Sequence, residues 1–229
     1  MNFLADWFTK PWLVTAWVVW ALLLAATVRP AFASLKLNRA AVAVSVLVLS
    51  VLWSLRAEVS DGHLHDMTYH LLGLSLVTLM LDAAAAFWLG SLLLGAYLVV
   101  LQGWGALPVW GMNALATILP PVAVCWAVRR LTTRKLPHHL FIYIFINGFL
   151  AAALGMLITG AVVIALLDMT DVYADVPLWS TAFVVFFLIT WGEAFLSGIL
   201  TAIFVALAPQ LLSTFDDKRY LQREADLWK

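Results

Sequence analysis

The chain has 229 residues, of which 64% are hydrophobic and 11% charged, with a mean hydropathy of +0.98. So short and so apolar a chain cannot hide its surface inside a water-soluble fold, which makes it an integral membrane protein. A formal net charge of zero leaves no electrostatic footprint for nucleic acid, and continuous apolar runs of about twenty residues exclude the shorter alternating segments of a membrane β-barrel.

The first apolar run, residues 11–29, is long enough to span a bilayer and is followed by Arg29, Lys36 and Arg39. Ala-Phe-Ala at 31–33 mimics a signal-peptide cleavage site, but the basic flank favours cytoplasmic retention, so the run reads as an uncleaved first helix. Further helices are predicted over 39–55, 67–82 and 84–102, the last two joined tightly around Asp82. A fifth, 110–130, carries the single cysteine, Cys125, which reads as a small core residue and permits no intrachain disulfide. The sixth and seventh, 138–167 and 178–208, are close to thirty residues each, so at about 1.5 Å per residue they must tilt or protrude. Residues 213–229 form a cytoplasmic tail beyond the helical bundle of 1–212.

With seven spans, the basic residues partition. Arg29, Lys36 and Arg39 share a side with Arg129, Arg130, Arg134, Lys135, Lys218, Arg219, Arg223 and Lys229, leaving only Lys10 and Arg56 opposite. The positive-inside rule then places the N-terminus outside and the C-terminus in the cytoplasm of a bacterial-type inner membrane. The expectation is therefore an all-α polytopic protein of about seven transmembrane helices; a count of six would break the charge partition.

On the outer side of that layout lies Ser60-Asp-Gly-His-Leu-His-Asp-Met-Thr-Tyr-His70, which holds three of the five histidines. Neutral imidazole ligates nickel, cobalt, copper and zinc, and carboxylate is a common companion. His63 and His65 are two apart and point the same way in an extended segment, while Asp66 and His70 are four apart and would stack on one face of the third helix. Asp66 also suits a helix cap, and His63 and His65 also suit a solvated loop. A histidine within a membrane helix is costly and is a functional candidate by default. Glu193 in the seventh helix is a lone intramembrane carboxyl that must be paired, protonated or facing a polar cavity. Asn113, two residues after Gly111, offers an acceptor and a donor where backbone can come close. Asn147 fits an interhelical hydrogen bond, and Gly155, Gly160, Ser197 and Gly198 fit close helix packing. His138 and His139 begin the sixth helix on the cytoplasmic side, a bilayer thickness from His70, which disfavours bis-histidine haem. No phosphate-binding glycine loop, nucleophile elbow or CxxC is present, so the chain reads as neither a nucleotide hydrolase nor an enzyme of another familiar kind.

Three segments resemble the CbiM/NikM family, the membrane substrate-binding subunits of energy-coupling factor cobalt and nickel importers. "GHLHDMTYHLLGLSLVTLMLDAAAAFWLGSLLLGAYLVVLQGWG" is similar to the family's His-Leu-Leu-Gly helix and its successor, "LPVWGMNALATILPP" to its Gly-x-Asn segment, and "GEAFLSGILTAIFVALAPQLL" to its closing Glu-x-Leu-x-Thr-Gly helix. The likeness spans residues 62–212. It places His70 on the family's metal-ligating histidine, Gly111 and Asn113 on the Gly-x-Asn pair, and Glu193 on the family glutamate. In the family, an N-terminal Met-His-Ile-Pro-Asp-Gly enters the bundle, and its amine, a backbone nitrogen and its histidine hold the metal with the helix histidine. This chain begins Met-Asn-Phe-Leu-Ala-Asp, with no histidine near the start. Either His63 and His65 replace the missing ligands or the metal preference differs.

The expected function is capture of a divalent transition metal, nickel or cobalt by resemblance, from the periplasmic side. The import it serves would need a separate coupling subunit and ATPases. His63, His65, Asp66 and His70 are the expected ligands, with Asn113 and Glu193 lining or supporting the site. Copper and zinc accept the same ligands. Binding should weaken below about pH 6 as imidazoles protonate. Two other readings stay open: a stand-alone permease driven by ion gradients with Glu193 as proton relay, and a metal-delivery or assembly factor without transport.

Overall fold

The computed structural model of the protein describes residues 2–59, 64, 67–170 and 172–220. Helices α1 (Lys10–Leu37) and α2 (Arg39–Ser54) are followed by a two-stranded antiparallel ribbon, β1 (Ala57–Glu58) and β2 (Thr68–Tyr69). Then come α3 (Leu74–Leu81), α4 (Ala83–Gln102), α5 (Trp104–Lys135), α6 (Leu140–Asp168) and α7 (Ala182–Leu207). Among the described residues five helices, α1 and α4 to α7, are long and apolar enough to cross a membrane, whereas α2 is apolar but shorter, at 16 residues. Outward-facing Val184, Phe187, Leu188, Trp191 and Phe195 on α7 are exposed, as suits a lipid-facing surface.

The predicted third helix over 67–82 is corrected. Its first part is not helical: Thr68 and Tyr69 pair with Glu58 and Ala57, and residues 70–73 are irregular. Thr and Tyr favour extended backbone, and Gly73 takes a left-handed φ of 70°, which turns the chain into α3. A Cβ at Gly73 would also lie 2.6 Å from a Leu52 methyl. The stacking of Asp66 beneath His70 on one helix face therefore has no helix to stand on.

Helix α3 has only eight residues, about 12 Å of rise, so it cannot cross the hydrocarbon layer by itself. It is wrapped by α2, α4, α5, α6 and α7, and every one of its residues is buried. Non-helical backbone at membrane depth is tolerated where protein encloses it, and the irregular segment before α3 meets that condition, with Leu72 1% exposed. At the far end of α3, Asp82 caps α4 by accepting from Ala85 N at 3.1 Å. This tight junction matches the expected break at Asp82.

Close approaches shape the bundle. The Trp110 ring lies where a side chain on Gly95 would stand, and the Trp110 indole donates to Ser91 O at 2.8 Å. Thr132 on α5 donates to Asn147 on α6 at 2.9 Å, the interhelical bond expected of that asparagine. Helices α5 and α6 each carry a π-helical stretch, Ala114–Ile118 and Tyr143–Leu150, and Asn113 immediately precedes the first. Residues 213–215 fold back against α3, and Phe215 and Tyr220 pack on Tyr143 with ring centroids 5.0 and 5.1 Å apart.

Candidate metal site

His70 lies between β2 and α3, outside every spanning helix, and is 7% exposed. Its Nδ1 is 2.9 Å from Leu71 O. A carbonyl can only accept, so Nδ1 carries the proton and Nε2 is left with a lone pair. Nε2 is buried and has no hydrogen-bond partner among the described residues. Burial holds the ring's pKa well below the ordinary imidazole range, which keeps it in the neutral form that ligates. One ring nitrogen is thus held by a backbone carbonyl, as the second nitrogen of a ligating histidine commonly is, and the other has a free lone pair among the described residues.

The turn that carries His70 is held from two sides. Glu193, 1% exposed on α7, accepts from Leu72 N and Gly73 N, each at 2.7 Å and each on a different carboxyl oxygen. Trp53, at the end of α2, donates its indole N–H to Leu72 O at 3.1 Å. These bonds satisfy both backbone groups of Leu72 and the amide of Gly73, donors and acceptors that an irregular buried turn would otherwise leave bare. Glu193 thus meets the sequence requirement for pairing, but its pair is backbone. It reaches His70 only through the turn that carries both Leu72 and Gly73.

Asn113, fully buried on α5, does the same for the amino terminus. Its Oδ1 accepts from Phe3 N at 2.7 Å and its Nδ2 donates to Phe3 O at 3.2 Å, so one amide side chain reads both backbone groups of Phe3. Asn2 N donates to Thr68 Oγ1 at 3.3 Å, two residues from His70. Phe3 and Phe8 are buried and packed edge to face with centroids 5.1 Å apart. Gly111 allows α1 to come close, since a Cβ there would stand 3.1 Å from Trp17 backbone. The amino-terminal segment therefore enters the bundle, which sequence reasoning left undecided. The signal for it was the Gly-x-Asn pair, an amide facing a glycine gap, together with the apolar run Phe3-Leu4 before Lys10.

Among the candidate ligands, His63, His65 and Asp66 lie outside the described residues. Among the described residues no three His, Cys, Asp or Glu side chains gather into a ligand set. Asn113 and Glu193 commit their polar atoms to backbone groups. His138 and His139 sit elsewhere: His139 caps the start of α6, accepting from Phe141 N at 3.1 Å, and His138 packs against Tyr220 with centroids 5.8 Å apart.

A family model described as "Cobalt uptake substrate-specific transmembrane region" matches residues 4–211. No curated protein and no solved structure matches the chain. A match over almost the whole sequence, on a bundle of apolar helices, places the chain in the CbiM family, the substrate-specific transmembrane components of cobalt uptake.

Proposed function

We propose that the protein captures a divalent cobalt or nickel ion on His70 Nε2 at the outer face of the membrane and passes it inward as part of a multi-subunit importer. The observation that carries this reading is the buried Nε2, unpartnered among the described residues, on a ring whose other nitrogen is fixed by Leu71 O. His63, His65 and Asp66 complete the ligand set from the segment that precedes β2. Glu193 and Asn113 position the His70 turn and the amino-terminal segment against each other.

The partition of basic residues supports an N-terminus outside and a C-terminus in the cytoplasm, with α2 and the short α3 taking part in the membrane layer. With no phosphate-binding loop of its own, the chain depends on a separate coupling subunit and cytoplasmic ATPases, and residues 213–229 lie on the side where these would dock.

Titration of untagged, purified protein with Co2+, Ni2+, Cu2+ and Zn2+ tests this. Loss of a direct ligand in His70→Ala should weaken binding by more than the roughly 100-fold seen at the upper end for outer-shell partners. Equal affinity in wild type and H70A would remove His70 from the site.

A further inference from the structure

His70 Nε2 is buried, so a cation can reach it only if part of its enclosure moves. The enclosure is uneven. On one side the turn is pinned by the two 2.7 Å bonds to Glu193, and behind it α3 is wholly buried. On another side stand two aromatic rings, Trp53 and Tyr97, with centroids 6.1 and 6.2 Å from the imidazole.

Those same two residues line a cleft of about 640 Å³ between α2 and α4. Ser50, Ser54 and Arg56 also line it, so it can hold water as a purely aliphatic groove would not. Trp53 is tied to the His70 turn through its indole bond to Leu72 O. Tyr97, by contrast, is held at its tip by one neutral bond, its hydroxyl donating to Trp53 O at 2.9 Å. That carbonyl belongs to the last turn of α2, the end of the helix whose partial negative charge favours a cation. The ring faces of Trp53 and Tyr97 favour one as well. Arg56 opposes it, but its guanidinium faces Glu58 at 3.8 Å.

We propose that Tyr97 is the gate through which a hydrated divalent cation passes from the cleft between α2 and α4 to His70 Nε2. The proposal rests on His70 being a ligand. The ring swings from its bond to Trp53 O, opens the cleft to the imidazole, and closes again once the ion has lost water to its ligands.

Stopped-flow quenching of tryptophan fluorescence by Co2+ and Ni2+, followed by a chelator chase, reads association and dissociation separately. Tyr97→Phe keeps the ring and removes the latch. It should speed both rates about fivefold, the factor set by the net worth of one neutral hydrogen bond, and leave Kd within about twofold. Ala96→Phe, on the exposed surface of α4 within the cleft, should slow both rates with Kd again unchanged. Unchanged rates in either variant, or a Y97F effect confined to dissociation and Kd, would overturn the gate while leaving the His70 site standing. A wild-type protein that binds neither ion would overturn the site and the gate together.

Discussion

The two ends of α3 are both capped by distant parts of the chain, yet they are built differently. At the His70 end, the carboxyl of Glu193 grips Leu72 N and Gly73 N, and one buried ring nitrogen is left open beside them. At the basic end, the last carbonyls of α3 are met by neutral donors: Ser34 Oγ on Leu81 O, Ser213 N on Met80 O at 3.0 Å, and Thr214 N and Oγ1 on Leu79 O at 3.3 and 2.8 Å. Both devices answer the same need, because a helix of eight residues leaves most of its terminal groups without an internal partner. The difference lies in what is left over. The basic end satisfies each of these carbonyls; the other spends its strongest side chain on backbone and leaves an imidazole lone pair without a partner among the described residues.

Substitutions at each end should separate these roles. The largest effect is expected from Glu193→Gln, which trades one acceptor oxygen for an amide that faces an N–H donor. It should cost about 2–3 kcal/mol of stability, the scale of a buried donor left unpaired beside a lost bond to a carboxyl. Metal affinity should fall at least tenfold, as for other supports of ligating histidines. Thermal unfolding and metal titration of the same samples would check it, and undiminished affinity would show that the turn holds its shape without the carboxyl. Asn113→Ala comes next. It strips both backbone partners from Phe3, so hydrogen exchange over residues 2–8 should rise sharply and affinity fall about tenfold. Protection unchanged from wild type would mean that Phe3 and Phe8 hold the segment by packing alone.

The smallest effect is expected at the opposite end. Thr214→Val removes the hydroxyl shared with Leu79 O and with Tyr143, whose hydroxyl lies 2.7 Å away. About 1 kcal/mol of stability should be lost, with metal affinity unchanged. An affinity change there would show that the two ends of α3 are coupled through the helix and would end the division of labour drawn above.

Sequence reasoning went far with the helices and less far with the turn. Long apolar runs located α1 and α4 to α7 because a spanning helix must satisfy its own backbone, and that demand is written locally as about twenty apolar residues. The segment 67–82 defeated the same logic. Its residues from Met67 to Leu81 are almost continuously apolar, and such a run does not distinguish a helix from a buried turn followed by a short one. What selects the turn is Glu193, 120 residues from Gly73, and Trp53 on α2.

Alone, the sequence determined the membrane class, the break at Asp82 and the interhelical use of Asn147, and it singled out His70, Asn113 and Glu193 as polar residues that need partners. Each follows from local composition, because a polar group in hydrocarbon must be answered by something. Which group answers was decided only in three dimensions. Tertiary contacts assigned Glu193 to the Leu72 and Gly73 amides and Asn113 to the Phe3 backbone, and among the described residues left Nε2 of His70 unanswered, since hydrogen bonds across more than a hundred residues depend on how helices pack and no local pattern encodes them.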